Sequence, residues 1–425
     1  MQAVRSAATQ VGSTVAVLLD IPGPKYRTGL LKEGKAELHP GTAFVLTTKP
    51  VIGDNGRVSV NLNTLPRDVR AGDTLLLSDG EIDLLAEEIS SDEVRCQVRV
   101  GGTLRDTRAL VIPGRPSSSP FVTELTLKQL DFGIEHQVDY FALSFVQGPE
   151  DMAQVRQILK DKGADIPLVA KIETGQAVAH LDQIIAASDS VMVARGDMGA
   201  ELPLEKVPLI QKQIVRKCNR LGKPVIVATQ MLESMIQAPR PTRAEVADVF
   251  NAVFDGTDAV MLSGETSIGR YPVEATAMMW RIAAEAEAAL PYERLLAERG
   301  ADLEPQTDDA ISFDACHTAQ QLGAAAIIAF TESGSTARRV AKYRPKVPLL
   351  VLTPSEAVRR KLALVWGVRA YIAGRPATVD DMFAQAIRLA KEQGAVAEND
   401  LVVITAGVPI GVAGTTNLLK VQRVD

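Results

Sequence analysis

Cysteine, aromatic residues and long apolar runs are all scarce in this chain. Its 425 residues include three cysteines, Cys96, Cys218 and Cys316, far apart and in no CxxC pair. That usage rules out a disulfide scaffold and a thiolate zinc site, and it fits a reducing, cytoplasmic compartment. Aromatic residues make up only 4% of the chain. No apolar stretch reaches the ~20 residues a membrane helix needs, and Met1–Gly12 has no basic leader followed by a long apolar core. Basic runs are also absent, and the net charge is −6, so neither a nucleic-acid interface nor a membrane surface is expected. What remains is a 46% hydrophobic chain, long enough for two or three domains.

Short apolar runs recur at Thr14–Leu19, Val138–Phe145, Pro167–Lys171, Ser190–Ala194, Pro224–Ala228 and Asp258–Leu262. Between the later ones, Asp151–Lys160, Leu204–Leu221 and Arg243–Phe254 repeat apolar residues at three- and four-residue spacing. Strand alternating with helix argues for βαβ units and a parallel sheet. Nearly every run ends in a polar cluster on its C-terminal side, where a (β/α)₈ barrel carries its active site. From Gly29 to Pro113 the pattern changes to period two with turn signals such as Asp54-Asn55-Gly56 and Ser78-Asp79-Gly80. That stretch reads as a helix-poor antiparallel β-domain inserted into the barrel. Arg299–Asp308 reads as a linker, and a second α/β alternation follows, with helices near Ile311–Leu322 and Ser335–Tyr343. Its strands are expected at Ala325–Phe330 and Leu349–Leu352, then a helix and two strands leading to Leu401–Thr405. The expected organisation is a barrel start at 1–28, a β lid at 29–113, the barrel remainder at 114–295 and a C-terminal α/β domain at 305–425.

Four strand ends carry candidate chemistry. In Val169-Ala170-Lys171-Ile172-Glu173, Lys171 and Glu173 are two apart and project together. Such a pair is either a common, weak salt bridge or a cation for transferred charge beside a metal-binding carboxylate. In Val193-Ala194-Arg195-Gly196-Asp197, Asp197 is either a turn former or a hard oxygen ligand of the kind Mg²⁺ takes one or two of. There Gly196 would admit a close-lying anion. Thr229 follows Val227-Ala228 as a helix cap or a substrate-binding hydroxyl. Ser263-Gly264-Glu265 reads as a turn with a capping acid.

Together and in this order the motifs resemble the pyruvate kinase family. The matching segments are Leu19-Asp20…Gly23-Pro24…Arg27-Thr28-Gly29, the Lys171–Glu173 strand, Ala194–Asp197, Ala228–Met235, Pro241–Glu245, Met261–Thr266 and Gly414–Asn417. The resemblance implies phosphoryl transfer between phosphoenolpyruvate and ADP, giving pyruvate and ATP, in a homotetramer. It casts Glu173 and Asp197 as ligands of a catalytic Mg²⁺ (Mn²⁺ as substitute), and Lys171 as the charge-stabilising lysine. Gly196, Asp197 and Thr229 would hold the pyruvate portion, with Thr229 near the protonated carbon. Arg27 would contact the nucleotide, and Arg108 would supply a contact that a lysine usually makes. The β-domain would close as a lid.

Three departures matter. In Asp20-Ile21-Pro22-Gly23-Pro24-Lys25, Ile21-Pro22 replaces Thr-Lys and Lys25 replaces Glu. That resembles the potassium-independent branch, where a lysine ammonium stands in for K⁺; the alternative is a solvated hinge lysine. Thr331–Thr336 before a helix is where relatives can bind a sugar-phosphate or nucleotide effector, although Glu332 would repel a phosphate. The first two strands of the eight-stranded barrel are expected to be missing, since Met1–Thr9 resembles the end of the second barrel helix. The alternative function is therefore an impaired remnant acting as a binding or regulatory protein.

Overall fold

A computed structural model describes residues 1–115, 117–412 and 414–425. Its central feature is a curled parallel sheet of six strands, in the order Leu18–Ile21, Tyr140–Leu143, Leu168–Ile172, Ser190–Ala194, Val225–Ala228 and Ala259–Val260. Strand order follows chain order, as successive right-handed βαβ crossovers produce. Both faces are apolar, and period-two alternation divides them. Phe141, Leu143, Ala170, Ile172, Val191, Val193 and Val227 pack outward under the helices. Tyr140, Ala142, Val169, Met192, Ile226 and Ala228 fill the inside. The first strand begins at Leu18 rather than at Thr14, because the Asp139 carboxylate takes the Val17 N–H at 2.8 Å before the ladder starts.

The inserted β-domain has its own core, with Phe44, Leu46, Leu75, Leu84, Val94 and Leu104 fully buried. Seven strands order as Tyr26–Arg27, Ala109–Val111, Thr74–Leu77, Ile82–Ile89, Glu93–Val100, Ala43–Thr47 and Arg57–Ser59, beside a two-stranded ribbon. Pairing is antiparallel except for Ala43–Thr47 with Arg57–Ser59. One short helix, Leu65–Asp68, interrupts a segment expected to have none.

The C-terminal sheet runs Val368–Ile372, Leu349–Thr353, Ala326–Phe330, Leu401–Gly407 and Thr416–Arg423, with only the last strand antiparallel. Two helices and one strand, not one helix and two strands, separate Thr353 from Leu401: Glu356–Lys361, Val368–Ile372 and Val379–Glu392. Of the expected linker Arg299–Asp308, the middle, residues 301–306, is non-helical, while its ends belong to the helices Tyr292–Gly300 and Thr307–Leu322.

Buried polar contacts fasten this domain to the N-terminal ends of the barrel strands. Arg344, 3% exposed, donates to Asp258 Oδ1 (2.8 Å), Asn219 Oδ1 (2.7 Å) and Gly256 O (2.7 Å), and stacks 4.7 Å from the Trp366 ring. Arg360 Nε reaches Asp139 at 2.7 Å, and Tyr140 donates its hydroxyl to Lys361 O at 2.7 Å. Leu364 packs against the inner apolar cluster of the barrel.

Candidate active site

The alternation that fills the barrel interior also builds the site. Inward positions are apolar at the strand starts (Leu18, Tyr140, Val169) and polar at the ends (Asp20, Ser144, Lys171, Glu173). Parallel strands in register bring those ends together. Lys171 Nζ lies 2.9 Å from Asp20 Oδ2, 2.7 Å from Ser144 Oγ and 3.1 Å from Glu173 Oε1. Ser144 in turn donates to Asp20 Oδ1 at 2.9 Å. Burial alone would lower the Lys171 ammonium, but Glu173 and Asp20 outweigh it and hold it above its ordinary value.

Glu173 is fully buried. Its Oε2 accepts the Phe145 N–H at 2.7 Å. Its Oε1 has only the off-axis contact to Lys171 and no hydrogen bond of its own among the described residues. Burial pushes this carboxyl up to about 7; Lys171 opposes the shift and the Asp197 charge adds to it. Asp197 sits in the first turn of the helix Arg195–Glu201, where the next strand ends, and it is ion-paired with Lys25. Lys25 Nζ also lies 5.0 Å from the Phe145 ring centroid. Glu201, at the far end of that helix, lines a cavity of about 130 Å³ between lid and barrel, shared with Lys25, Tyr26, Phe145 and Thr174. Burial pushes the Glu201 carboxyl up to about 7, Asp197 adds to this and Lys25 opposes it.

The Gly196 N–H donates to Thr229 Oγ1 at 2.9 Å, and that hydroxyl donates to Ala228 O at 2.6 Å. A Cβ on Gly196 would meet Thr229 at an ordinary 3.5 Å, so packing within the chain does not demand glycine here. Thr229 and Gln230 both have positive φ (69° and 53°), an unfavourable state for a β-branched residue. Arg195 pins them: one Nη2 donates to Thr229 O at 2.7 Å and Gln230 O at 3.3 Å, while Asp248 holds Nη1 at 2.7 Å. Glu265 is fully buried and accepts the N–H groups of Leu232 (3.0 Å) and Ser263 (2.8 Å), fixing the following loop. Its position two residues after Ser263 gave it the look of a turn acid; it ties two strand-end loops together.

Of the residues singled out in the sequence, Lys171, Glu173, Asp197, Gly196, Thr229 and Lys25 are therefore joined in one network. Arg27 and Arg108 lie apart from it, exposed where the lid strands Tyr26–Arg27 and Ala109–Val111 pair. Arg27 stands opposite Ala109, while Thr28 and Arg108 exchange hydrogen bonds, so alternation sends the two arginines to opposite faces of the ribbon. Asp20, Ser144, Phe145 and Arg195 escaped the sequence reading as site residues. Asp20 and Ser144 share the inward phase of Lys171, a signal that was available.

The family model described as pyruvate kinase, barrel domain, matches residues 1–276, and that described as pyruvate kinase, alpha/beta domain, matches 309–422. The chain belongs to the pyruvate kinase family. It is 44% identical over 424 residues to the pyruvate kinase of Clostridium acetobutylicum, covering 99% of this chain and 90% of that one. Against the pyruvate kinase of Geobacillus stearothermophilus it is 46% identical over 425 residues, covering 99% of this chain and 72% of the relative. The crystal structure of a pyruvate kinase from Cryptosporidium parvum superposes with a TM-score of 0.92 at 36% identity, covering 100% of this chain and 87% of that one. The fold is that of the family: a barrel with an α/β C-terminal domain.

Proposed function

We propose that this chain catalyses phosphoryl transfer from phosphoenolpyruvate to ADP, giving pyruvate and ATP, with Lys171, Glu173, Asp197 and Thr229 at its centre. The observation that carries the reading is the buried Glu173 carboxylate beside Lys171, with one oxygen left without a hydrogen bond. A buried lone pair facing a second carboxylate is a donor set for a hard divalent cation. Mg²⁺ takes one or two protein carboxylates and fills its other positions with water and substrate oxygens. Glu173 and Asp197 would hold Mg²⁺ or Mn²⁺, which when bound neutralises phosphoryl and carboxylate oxygens.

The residues divide the remaining work. Lys171 presents a fixed ammonium to charge developing on the phosphoryl group, oriented by Asp20 and Ser144. The Thr229 hydroxyl, set by the pinned loop, faces the pyruvate carbon where a proton is delivered. The Gly196 N–H, now given to Thr229, is the group that would turn to the pyruvate carboxylate. Lys25 brings a permanent positive charge to the same cluster, which supports activity without K⁺. Arg27 is the exposed lid arginine assigned to the nucleotide, and Arg108, on the neighbouring strand but the opposite face of the ribbon, is the second candidate contact.

In the C-terminal domain, Thr331, Glu332, Ser335, Thr336 and Arg375 line a pocket in which Arg375 forms two 3.0 Å bonds to Glu332. A sugar-phosphate or nucleotide effector there would compete with Glu332 for Arg375. A homotetramer in the cytoplasm follows from the same family reading. No described helix is long and apolar enough to cross a membrane. The alternative of a binding or regulatory remnant is not favoured by 44% identity across 99% of the chain.

The test is a lactate-dehydrogenase-coupled assay of the full chain with phosphoenolpyruvate, ADP and Mg²⁺, in sodium-free buffer with and without K⁺. Pyruvate should form at equal rates in both. Absence of pyruvate would refute the activity, and a strong K⁺ requirement would refute the assignment of Lys25.

A further inference from the structure

Both connections of the lid converge on one carboxylate outside the reacting cluster. On the way in, the backbone is fixed at Gly23, where a Cβ would collide with Ser144 O. Pro24 and Lys25 follow, and the lid's first strand starts at Tyr26. On the way out, Gly114 makes a left-handed turn at φ 76°, and Arg115 is tied back to the lid by two 3.1 Å bonds to Asp73. Lys25, Gly114 and Arg115 all line the cavity of about 130 Å³ between lid and barrel, and Glu201 lines it from the barrel side. Glu201 has no part in the chemistry assigned to the strand ends.

Helix geometry relates Glu201 to Asp197. The two are four residues apart on the helix Arg195–Glu201, which puts them on one face with Cβ atoms about 5–6 Å apart. Carboxylates so placed repel, and one ammonium lies near both: Lys25 is ion-paired with Asp197 and shares the cavity with Glu201. Burial raises the Glu201 carboxyl and the Asp197 charge adds to this, while Lys25 and the N–H groups of Gly114 and Gly175 oppose it. Glu201 has no ion pair of its own among the described residues, so its charge is only partly answered. The Phe145 ring links the two carboxylates. Lys25 Nζ lies 5.0 Å from its centroid, and the ring lines the same cavity. Phe145 keeps a left-handed φ of 57°, held there by its N–H bond to the buried Glu173. An ammonium crossing that ring stays in favourable contact on the way.

Asp197 faces two cations, Lys25 and the divalent ion assigned to it with Glu173, and those two repel each other at one carboxylate. We propose that Glu201 is a positioning residue, the second partner of Lys25: when Asp197 turns to the divalent cation, Lys25 crosses the Phe145 ring to Glu201, a step that rests on the metal site proposed for Glu173 and Asp197. The ammonium is thereby kept beside the cluster rather than expelled to solvent. It moves to the cavity where both lid connections meet, so filling the metal site tightens the seat of the lid on the barrel.

The probe is Mn²⁺ alone, titrated calorimetrically into the full chain at pH 8 in about 0.15 M salt, which screens the direct field of Glu201 on the ion. Glu201→Gln keeps the shape of the side chain and an acceptor for the Gly114 and Gly175 N–H groups. It should weaken Mn²⁺ binding about tenfold, because the displaced Lys25 then has no second carboxylate. Lys25→Met should tighten binding by removing the competitor, and adding Glu201→Gln to it should then weaken binding less than about threefold. A purely structural effect of Glu201 would instead weaken binding equally with and without Lys25. The relay is overturned by such equal weakening, or by no weakening in the chain that keeps Lys25, when Asp197→Asn abolishes binding. If Mn²⁺ binds Asp197→Asn as well as it binds the unmodified chain, or binds neither, the metal site itself is wrong and the relay falls with it.

Discussion

The two ends of the barrel sheet handle charge in opposite ways. At the C-terminal ends of the strands, anion is in surplus: Asp20, Glu173 and Asp197 face Lys171 and Lys25, and a buried Glu173 oxygen is left over. At the N-terminal ends, the buried charges are paired one to one: Arg344 with Asp258, Lys342 with Asp309 and Arg360 with Asp139, and Arg344 also donates to Asn219 and Gly256 O. The first end is arranged to receive a positive ligand and a transferred phosphoryl group. The second is arranged for attachment of the C-terminal domain. Where buried charges are paired across the two domains they serve cohesion.

Substitutions should separate these uses. Lys171→Met should have the largest effect, lowering kcat on the order of 10³-fold while the circular dichroism spectrum stays unchanged. A loss under tenfold would place Lys171 outside the reacting cluster. Arg344→Gln should destabilise the chain by about 3–5 kcal/mol, because Asp258 is then left buried and unpaired. Urea unfolding would show this, and a shift below ~1 kcal/mol would mean the matched pair contributes little to cohesion. Thr229→Ala should lower kcat by about 10²-fold, with a smaller change in KM for phosphoenolpyruvate, if its hydroxyl serves proton delivery. A pure KM effect would make it a binding group.

The smallest effect concerns Glu201 and depends on pH. Its pKa is about 7 in the folded chain against an ordinary 4.5, so it favours the fold fully below about pH 4.5 and loses that favour as pH rises through 7. Glu201→Gln should therefore be more stable than the parent at pH 8, by about 1–3 kcal/mol, and nearly equal to it at pH 4.5. Equal stability at both pH values would show that the carboxyl is better solvated than its position implies.

Much of the site could be read from the sequence because it rests on local rules. Period two places Lys171 and Glu173 on one side of a strand. The Thr242…Glu245 spacing marks a capping box, which the structure contains. The unread part depends on chain-distant contacts that no local pattern encodes. Asp20 meets Lys171 across 151 residues, and Lys25 meets Asp197 across 172. The backbone of Thr229 and Gln230 is forced left-handed by an arginine 34 and 35 residues away. Asp308, the last residue of the expected linker, is helical together with its neighbour Asp309 for a related reason. Those acids sit in the first turn of Thr307–Leu322, where a helix favours negative charge, and each is matched by a cation from the helix Ser335–Lys342.

The Arg344 junction also constrains how such chains can be recombined. Its partners, Asn219, Gly256 and Asp258, lie on one side of the turn near residue 303, while Arg344 and Trp366 lie on the other. A chimera joined at that turn with a C-terminal half from a relative would inherit the lock without its key unless both sets of residues match. The functional seam of this molecule therefore does not coincide with its linker, and exchange of intact halves is limited to relatives that keep both sides of the pair.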